Sequence, residues 1–235
     1  MVLKYIRLMI SFCLIFILVA CQTQSGPSAQ TGTVDSRLTK NEDVEFFNKS
    51  GLQSCLAGAA AGAIACMLSD VNHKAICIAA AAIVGCGVGV GANAYLDSQR
   101  KKYSSREQLL AAAIKDIEAE NERIKNATVV VKEVIQADKR TLASINKDIA
   151  AKTVKKAQMQ KQLKGLDANI AYLRNTIKEM KEHEKQWADV SVQMVKDGAK
   201  TKNLNKQIAQ MRKNIGMLQQ ELDSLYEQRT AIKVS

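Results

Sequence analysis

The sequence predicts an all-α protein, in which an Ala/Gly-rich helical hairpin is followed by a long coiled coil with a C-terminal antiparallel helix. The only proline is Pro27, so no later residue breaks a helix through the loss of a backbone N–H donor. Aromatic residues make up 4% of the chain, which is too few for an ordinary compact core. From about residue 104 onward, apolar residues recur at alternating spacings of three and four, the period of a coiled-coil seam.

The first element is a secretory signal peptide over residues 1–20. Lys4 and Arg7 supply its positive start, residues 8–18 supply its apolar centre, and small residues lead to the cleavage site. The apolar run is too short for a membrane-spanning helix. We therefore expect this segment to be removed on export.

The four residues Leu18-Val19-Ala20-Cys21 resemble the lipobox of bacterial lipoproteins. The resemblance implies that Cys21 becomes the first residue of the mature protein, with diacylglycerol on its thiol and a third acyl chain on its amine. Several chains anchor a protein stably, because each buried methylene contributes about 0.8 kcal/mol. Gln22 differs from the aspartate of inner-membrane retention signals. The resemblance therefore implies a lipid-anchored protein of the outer membrane of a diderm bacterium, facing the periplasm, with no cofactor beyond the covalent lipid on Cys21.

Residues 21–50 are predicted to be a lipidated flexible tether. They are rich in Gln, Ser, Thr, Gly, Asn and charge, and they show no apolar period apart from the pair Phe46-Phe47. We expect little order there, and a segment that lets the rest of the protein stand away from the membrane.

Residues 51–97 are predicted to form a hairpin of two Ala/Gly-rich segments around a polar break at residues 70–74. Its glycines recur four residues apart, which leaves flat helix faces that allow close backbone approach. The stretch is similar to the glycine-zipper segments of several bacterial envelope proteins. Two interpretations remain open: a membrane-inserted hairpin, and a helical pair packed in water. The candidate packing residues are Gly58, Gly62, Gly85, Gly87, Gly89 and Gly91.

Four cysteines lie in this hairpin, and none belongs to a Cys-x-x-Cys pair, so we expect no metal site. In an exported protein they are disulfide candidates. Cys66 with Cys77, and Cys55 with Cys86, are each centred on the polar break, as nested rungs would be. The outer pair could instead bridge protomers or stay reduced and buried. The second arm must bend or unwind near its glycines, because the step from Cys77 to Cys86 turns a helix by about 180°.

Residues 104–235 are predicted to be the coiled coil. Ser104 or Ser105 can cap its first helix. Asn121 occupies a core position, where either a buried amide fixes the alignment or the number of helices, or the seam is locally solvated. The seam breaks around Gly198, which predicts a turn near 197–203. The last helix then folds back antiparallel and brings Ile232 to the neighbourhood of Ala168.

The seam between residues 104 and 196 allows two arrangements. The chain either reverses near 150–156, giving three helices of about 45, 42 and 30 residues, or continues as one helix of about 90 residues. The stretch from Lys147 to Lys164 contains no Gly, Pro or Asn. In a continuous helix, Lys152 and Lys156 would occupy core positions of the seam. Because a turn is so poorly signalled there, we favour the long helix. Its unpaired seam would be covered by other protomers, so we expect a homo-oligomer.

No catalytic residues can be named from the sequence. His73 and His183 are the only imidazoles, and no serine or cysteine stands in a nucleophile motif, so we expect no enzyme. His183 is expected on a solvated, charged helix face, and Trp187 is expected to pack in the seam. The net charge of +11 falls to +9 when Lys4 and Arg7 leave with the signal peptide. In an exported protein this charge favours contact with anionic lipid or peptidoglycan rather than nucleic acid.

These features together predict a structural outer-membrane lipoprotein. It would anchor and assemble or space a cell-envelope complex, such as a secretion or pilus apparatus, through its periplasmic coiled coil. Two alternatives remain: a membrane-active, pore-forming lipoprotein that uses the glycine-rich hairpin, and a coiled-coil regulator of cell-wall enzymes.

Overall fold

A computed structural model describes residues 32–49 and 87–232. The described residues contain helices and no strand, which confirms the predicted all-α class. Three helices are long, and the others are short segments that precede them. The helices are α1 (Ser36–Lys40), α2 (Glu42–Lys49), a 3-10 helix (Gly87–Val90), α3 (Ala92–Lys102), α4 (Arg106–Ala150), α5 (Lys156–Lys196) and α6 (Lys202–Ala231).

Several predicted features lie outside the described residues. They are the signal peptide, Cys21, Cys55, Cys66, Cys77, Cys86, Gly58, Gly62 and Gly85. The proposed lipidation and both disulfide rungs therefore remain predictions.

The chain reverses between α4 and α5, at residues 151–155. Thr153 N–H donates to the carbonyl oxygen of Asp148 over 2.9 Å, and Lys152 N–H donates to that of Ile149 over 3.1 Å. These two bonds form a Schellman motif, in which the residue after the helix adopts the left-handed conformation. Lys152 takes that position with a φ of 55°.

The favoured prediction of one continuous helix is therefore wrong, and the alternative of three helices is correct. The reversal was poorly signalled because a lysine occupies the left-handed position that glycine usually fills. The lysines expected at core positions of the long helix, Lys152 and Lys156, are instead exposed at this turn.

The turn between α5 and α6 repeats the same motif with glycine. Ala199 N–H donates to Met194 over 2.9 Å, Gly198 N–H donates to Val195 over 2.9 Å, and Gly198 has a φ of 82°. The predicted turn near 197–203 is confirmed.

The long helices align as one up-down-up set. Arg229 on α6 pairs with Asp167 on α5 over 2.7 Å, next to Ala168, so the predicted antiparallel pairing is confirmed to within about one turn. Lys139 on α4 pairs with Glu221 on α6 over 2.8 Å. Because each of these helices is joined to the next by a reversal, α4 and α6 run parallel.

Helices α1, α2 and α3 pack against α4 and α5 and take the place of a fourth long helix. Leu38, Val44 and Phe47 are fully buried in this packing. The prediction of a tether without order is therefore wrong for residues 36–49. These apolar residues cover the face of α4 and α5 that the sequence left unpaired.

We expected other protomers because the seam of one long helix would have no partner, and the three-helix arrangement removes that reason. In the described part of the chain, α4 is covered by α6 on one side and by α1, α2 and α5 on others. No helix in residues 32–49 and 87–232 combines the length and the apolar character that a membrane span requires.

Replacing Lys152 with glycine should stabilise the protein. Glycine adopts the left-handed conformation without steric cost, so the free energy of unfolding should rise by about 0.5–1 kcal/mol. The matched control is Lys178→Gly at an exposed position within α5, which should cost about 1 kcal/mol. Urea denaturation followed by circular dichroism measures both. Equal destabilisation by the two variants would mean that residue 152 lies inside a helix.

Candidate functional site

A buried polar cluster joins α4 to α5. Glu120 on α4 accepts from Nδ1 of His183 over 2.5 Å through Oε1, and from Nε1 of Trp187 over 2.9 Å through Oε2. The exposed fractions are 5% for Glu120, 2% for His183 and 0% for Trp187. Both oxygens of one carboxylate are thus satisfied by two side chains one turn apart on the facing helix.

Residues on either side of the segment 50–86 meet at this cluster. The ring centroids of Phe46 and Phe47 lie 5.7 and 5.4 Å from that of His183, both edge to face. Gly89 lies on the same ring, where an added Cβ would be 2.9 Å from Nε2. Nε2 of His183 is buried and has no hydrogen-bond partner among the described residues. One imidazole therefore contacts the chain both before and after the Ala/Gly-rich segment.

A second polar contact fixes α3 beside the cluster. The Tyr95 hydroxyl donates to Asp116 over 2.8 Å, and the Gln99 amide donates to the same oxygen over 3.2 Å. Burial, followed by the nearby charge of Asp116, raises the pKa of Tyr95 far above its usual value. The Tyr95 ring lies 5.1 Å from that of Trp187, so this contact continues the first cluster.

A third contact joins α1 to both long helices. The Asn169 amide nitrogen donates to the two Asp138 oxygens over 3.2 and 3.0 Å, and its oxygen accepts from the Asp35 backbone N–H over 2.7 Å. Burial raises the pKa of Asp138 to about 6, although the bond from Asn169 acts against this rise. Asp35 also raises it by its charge, and Arg37 lowers it.

Glu120 and His183 have the chemistry of an acid–base pair, but both are enclosed by side chains. The described residues contain no group of three potential metal ligands. The geometry is suited to holding helices in place, because a buried and paired carboxylate is costly to separate from its partner.

The structure assigns definite places to the predicted residues it describes. Trp187 packs in the interior as expected. Asn121 is buried and donates to the backbone oxygen of Gln207 and to its side-chain oxygen, over 3.1 Å each, which fixes α4 against α6. The prediction of a solvated His183 is wrong, since α5 has neighbours on two sides and buries a wider stripe than a two-helix seam. Ser105 caps α4 by accepting from Gln108 N–H over 3.2 Å.

The C-terminal end of the predicted hairpin belongs to the bundle. Gly87 begins the 3-10 helix, and Gly91 precedes α3 with a φ of 99°. Ala92 N–H donates to Gln186 on α5 over 2.8 Å. The chain leaves the α-helical conformation at these glycines, where the sequence predicts that the second arm bends or unwinds, and it then packs on α5.

Sequence reasoning missed Glu120, Asp138 and Asn169 as interior residues, and it missed Asp116 as the half-buried acceptor of the Tyr95 hydroxyl. Phe46-Phe47 was the one visible signal that residues 36–49 are ordered. Comparison of the chain with protein-family models, curated proteins and solved structures finds no match.

His183→Leu should destabilise the protein strongly. It leaves the Glu120 carboxylate buried without its main partner, which costs about 3–5 kcal/mol. The control is Arg212→Ala, which removes an exposed pair with Glu184 and should cost less than about 1 kcal/mol. Urea unfolding followed by the fluorescence of Trp187, the only tryptophan, measures both. Adding Glu120→Gln to His183→Leu should recover part of the loss, because no buried charge then remains. An equal effect of His183→Leu and Arg212→Ala would contradict the buried pair.

Asp138 should make the protein less stable as the pH rises. A carboxyl group whose pKa is raised in the folded state favours folding while protonated, so stability is lost between the unfolded value of 3.8 and about 6. The Asp138→Asn variant lacks this loss and can still accept from Asn169. Between about pH 4.5 and 7.5, its free energy of unfolding should rise relative to the unmodified protein by about 1–2 kcal/mol. Denaturation at both pH values measures the change, and a constant difference would contradict it.

Proposed function

We propose that this chain is a structural lipoprotein of the outer membrane, which anchors and assembles or spaces a cell-envelope complex such as a secretion or pilus apparatus. The observation that carries the proposal is the closure of three long helices and three short ones into one bundle. A helix of 45 residues such as α4 extends about 68 Å. The bundle is therefore a rigid body long enough to hold two envelope components apart.

The interior polar contacts support a mechanical role. Asn121 aligns α4 with α6, Glu120 aligns α4 with α5, and Asn169 fixes α1 to both α4 and α5. Polar groups buried in this way cost stability, but they exclude arrangements in which one helix slides along another. A spacer requires such a fixed alignment under load.

The lipid on Cys21 would hold this body to the membrane. Ten residues lie between Cys21 and Gly32, where the described chain meets the bundle, so the connection reaches at most about 40 Å. Homo-oligomerisation is no longer needed to cover the seam, and the partner we propose is an envelope complex.

One observation favours a second candidate, a membrane-active function of the Ala/Gly-rich segment. Phe47 and Gly89 contact the same imidazole, so the described residues before and after the segment 50–86 lie at one place on the bundle, which is compatible with a hairpin between them. The mature protein would then release a dye trapped in vesicles, and Gly58→Leu with Gly62→Leu would abolish the release.

Cys21→Ser should move the protein from the outer membrane to the soluble periplasmic fraction, because the acyl chains supply the membrane affinity. Envelope function should be lost, while the helical circular dichroism of the purified protein stays unchanged. The matched control is Cys13→Ser, which changes a cysteine within the predicted signal peptide and should leave anchoring intact. Cell fractionation and incorporation of labelled palmitate measure the anchor. Normal function of a soluble Cys21→Ser protein would contradict the proposal.

A further inference from the structure

The turn between α4 and α5 carries a concentrated positive charge. Between residues 147 and 164 the one acidic residue is Asp148, against six lysines. We call these lysines the lysine tip; they are Lys147, Lys152, Lys155, Lys156, Lys161 and Lys164. All six side chains are exposed. Within the described residues, no carboxylate pairs with Lys147, Lys152, Lys155, Lys161 or Lys164, so their charges face solvent.

The apex of this turn is Lys152, at a position where glycine would adopt the backbone conformation at lower cost. Lys152 stands in the left-handed conformation, which disfavours every residue with a Cβ and which glycine adopts freely. The corresponding position of the turn between α5 and α6 is Gly198. The same backbone motif therefore carries a lysine at one end of the bundle and a glycine at the other.

The chain from Cys21 reaches the bundle at the lysine tip. Gly32 packs on the backbone of α5, where an added Cβ would lie 2.0 Å from the carbonyl oxygen of Lys164. With ten residues between them, Cys21 and Gly32 lie at most about 40 Å apart. The lysine tip is thus the end of the bundle closest along the chain to the proposed lipid.

The opposite end of the bundle is also basic, but it differs in two ways. Arg100 pairs with the carboxylate of Asp197 over 2.7 Å, and Arg106 donates to the carbonyl oxygen of the same residue over 2.9 Å. That end also lies about 60 Å away, at the far end of α5. A lipid attached at Cys21 therefore brings the lysine tip to the membrane surface more readily than it brings the opposite end.

The chemistry of the lysine tip fits a charged surface better than a single ligand. Lysine carries a compact charge on a flexible stem, whereas bidentate recognition of one phosphate favours arginine. Clusters of four to eight basic residues beside a membrane anchor are typical of binding to anionic lipid. We propose that the lysine tip binds the anionic phospholipid headgroups of the membrane that holds the Cys21 lipid, so that the bundle stands on this membrane by one end. This inference rests on the proposed function in one respect only, the lipid on Cys21.

Lysine footprinting tests the inference on the full-length, lipidated protein. The protein is reconstituted into phosphatidylcholine vesicles, with or without about one-third phosphatidylglycerol, and is acetylated with a membrane-impermeant reagent. Mass spectrometry then reads the labelling rate of each lysine. In anionic vesicles, Lys152, Lys155 and Lys161 should be labelled roughly fivefold more slowly than in neutral vesicles. Lys200, Lys202 and Lys206 at the opposite end should be unaffected, and about 0.5 M NaCl should remove the protection.

A pair of charge-matched variants completes the test. Replacing Lys152, Lys155 and Lys161 with glutamine should abolish the protection of the remaining Lys147 and Lys164. Replacing Lys200, Lys202 and Lys206 with glutamine should leave that protection unchanged.

Three results would overturn the inference: equal labelling in both kinds of vesicle, protection of the opposite end alone, and salt-sensitive binding of the lysine tip to isolated peptidoglycan without binding to vesicles. The mass of the N-terminal peptide in the same sample reports whether Cys21 is acylated. A missing lipid would refute the proposed function, whereas an acylated protein with unprotected lysines would refute this inference alone.

Discussion

The reversal at residues 151–155 is the constraint on which the rest of the bundle depends. It returns the chain from α4 to α5 and so brings Glu120 to His183 and Asp138 to Asn169. It also creates the groove that α1, α2 and α3 fill. Without it, α4 would expose its buried stripe and need another protein to cover it. The turn in which Lys152 takes the left-handed conformation thus distinguishes a self-contained bundle from a single long helix that would have to oligomerise.

The buried polar contacts give this bundle one alignment. Each connects a different set of helices: Glu120 with His183 joins α4 to α5, Asn121 with Gln207 joins α4 to α6, and Asn169 joins α1 to α4 and α5. Apolar stripes alone would tolerate a shift by one turn, whereas a shifted carboxylate would lose its partners. The result is a rigid body with two distinct ends. The proposed spacing role requires a rigid body with two different ends, because one end is held to a membrane.

The sequence predicts this fold where local chemistry carries the signal. Gly198 predicts the second turn, and the apolar residues at alternating spacings of three and four predict the long helices. The first turn has no such signal, because its Schellman motif has Lys152 at the left-handed position instead of glycine. Leu38, Val44 and Phe47 are too few to show a period, so the order of residues 36–49 follows only from the groove they fill. His183 could not be assigned to the interior, because a pairwise seam predicts one narrow stripe and α5 buries a wider one. The first turn, the order of residues 36–49 and the burial of His183 all depend on tertiary packing.

Intramolecular cross-linking between α4 and α5 tests this account most directly. Lys115 lies five residues before Glu120, and Lys185 lies two residues after His183, so a short amine-reactive cross-linker should join them. A sample mixed from isotopically light and heavy protein separates links within one chain from links between chains. The account predicts that this link forms almost entirely within single chains. In one continuous helix the two lysines would be about 105 Å apart. Links found only between light and heavy chains, or no link at all, would contradict the closed bundle.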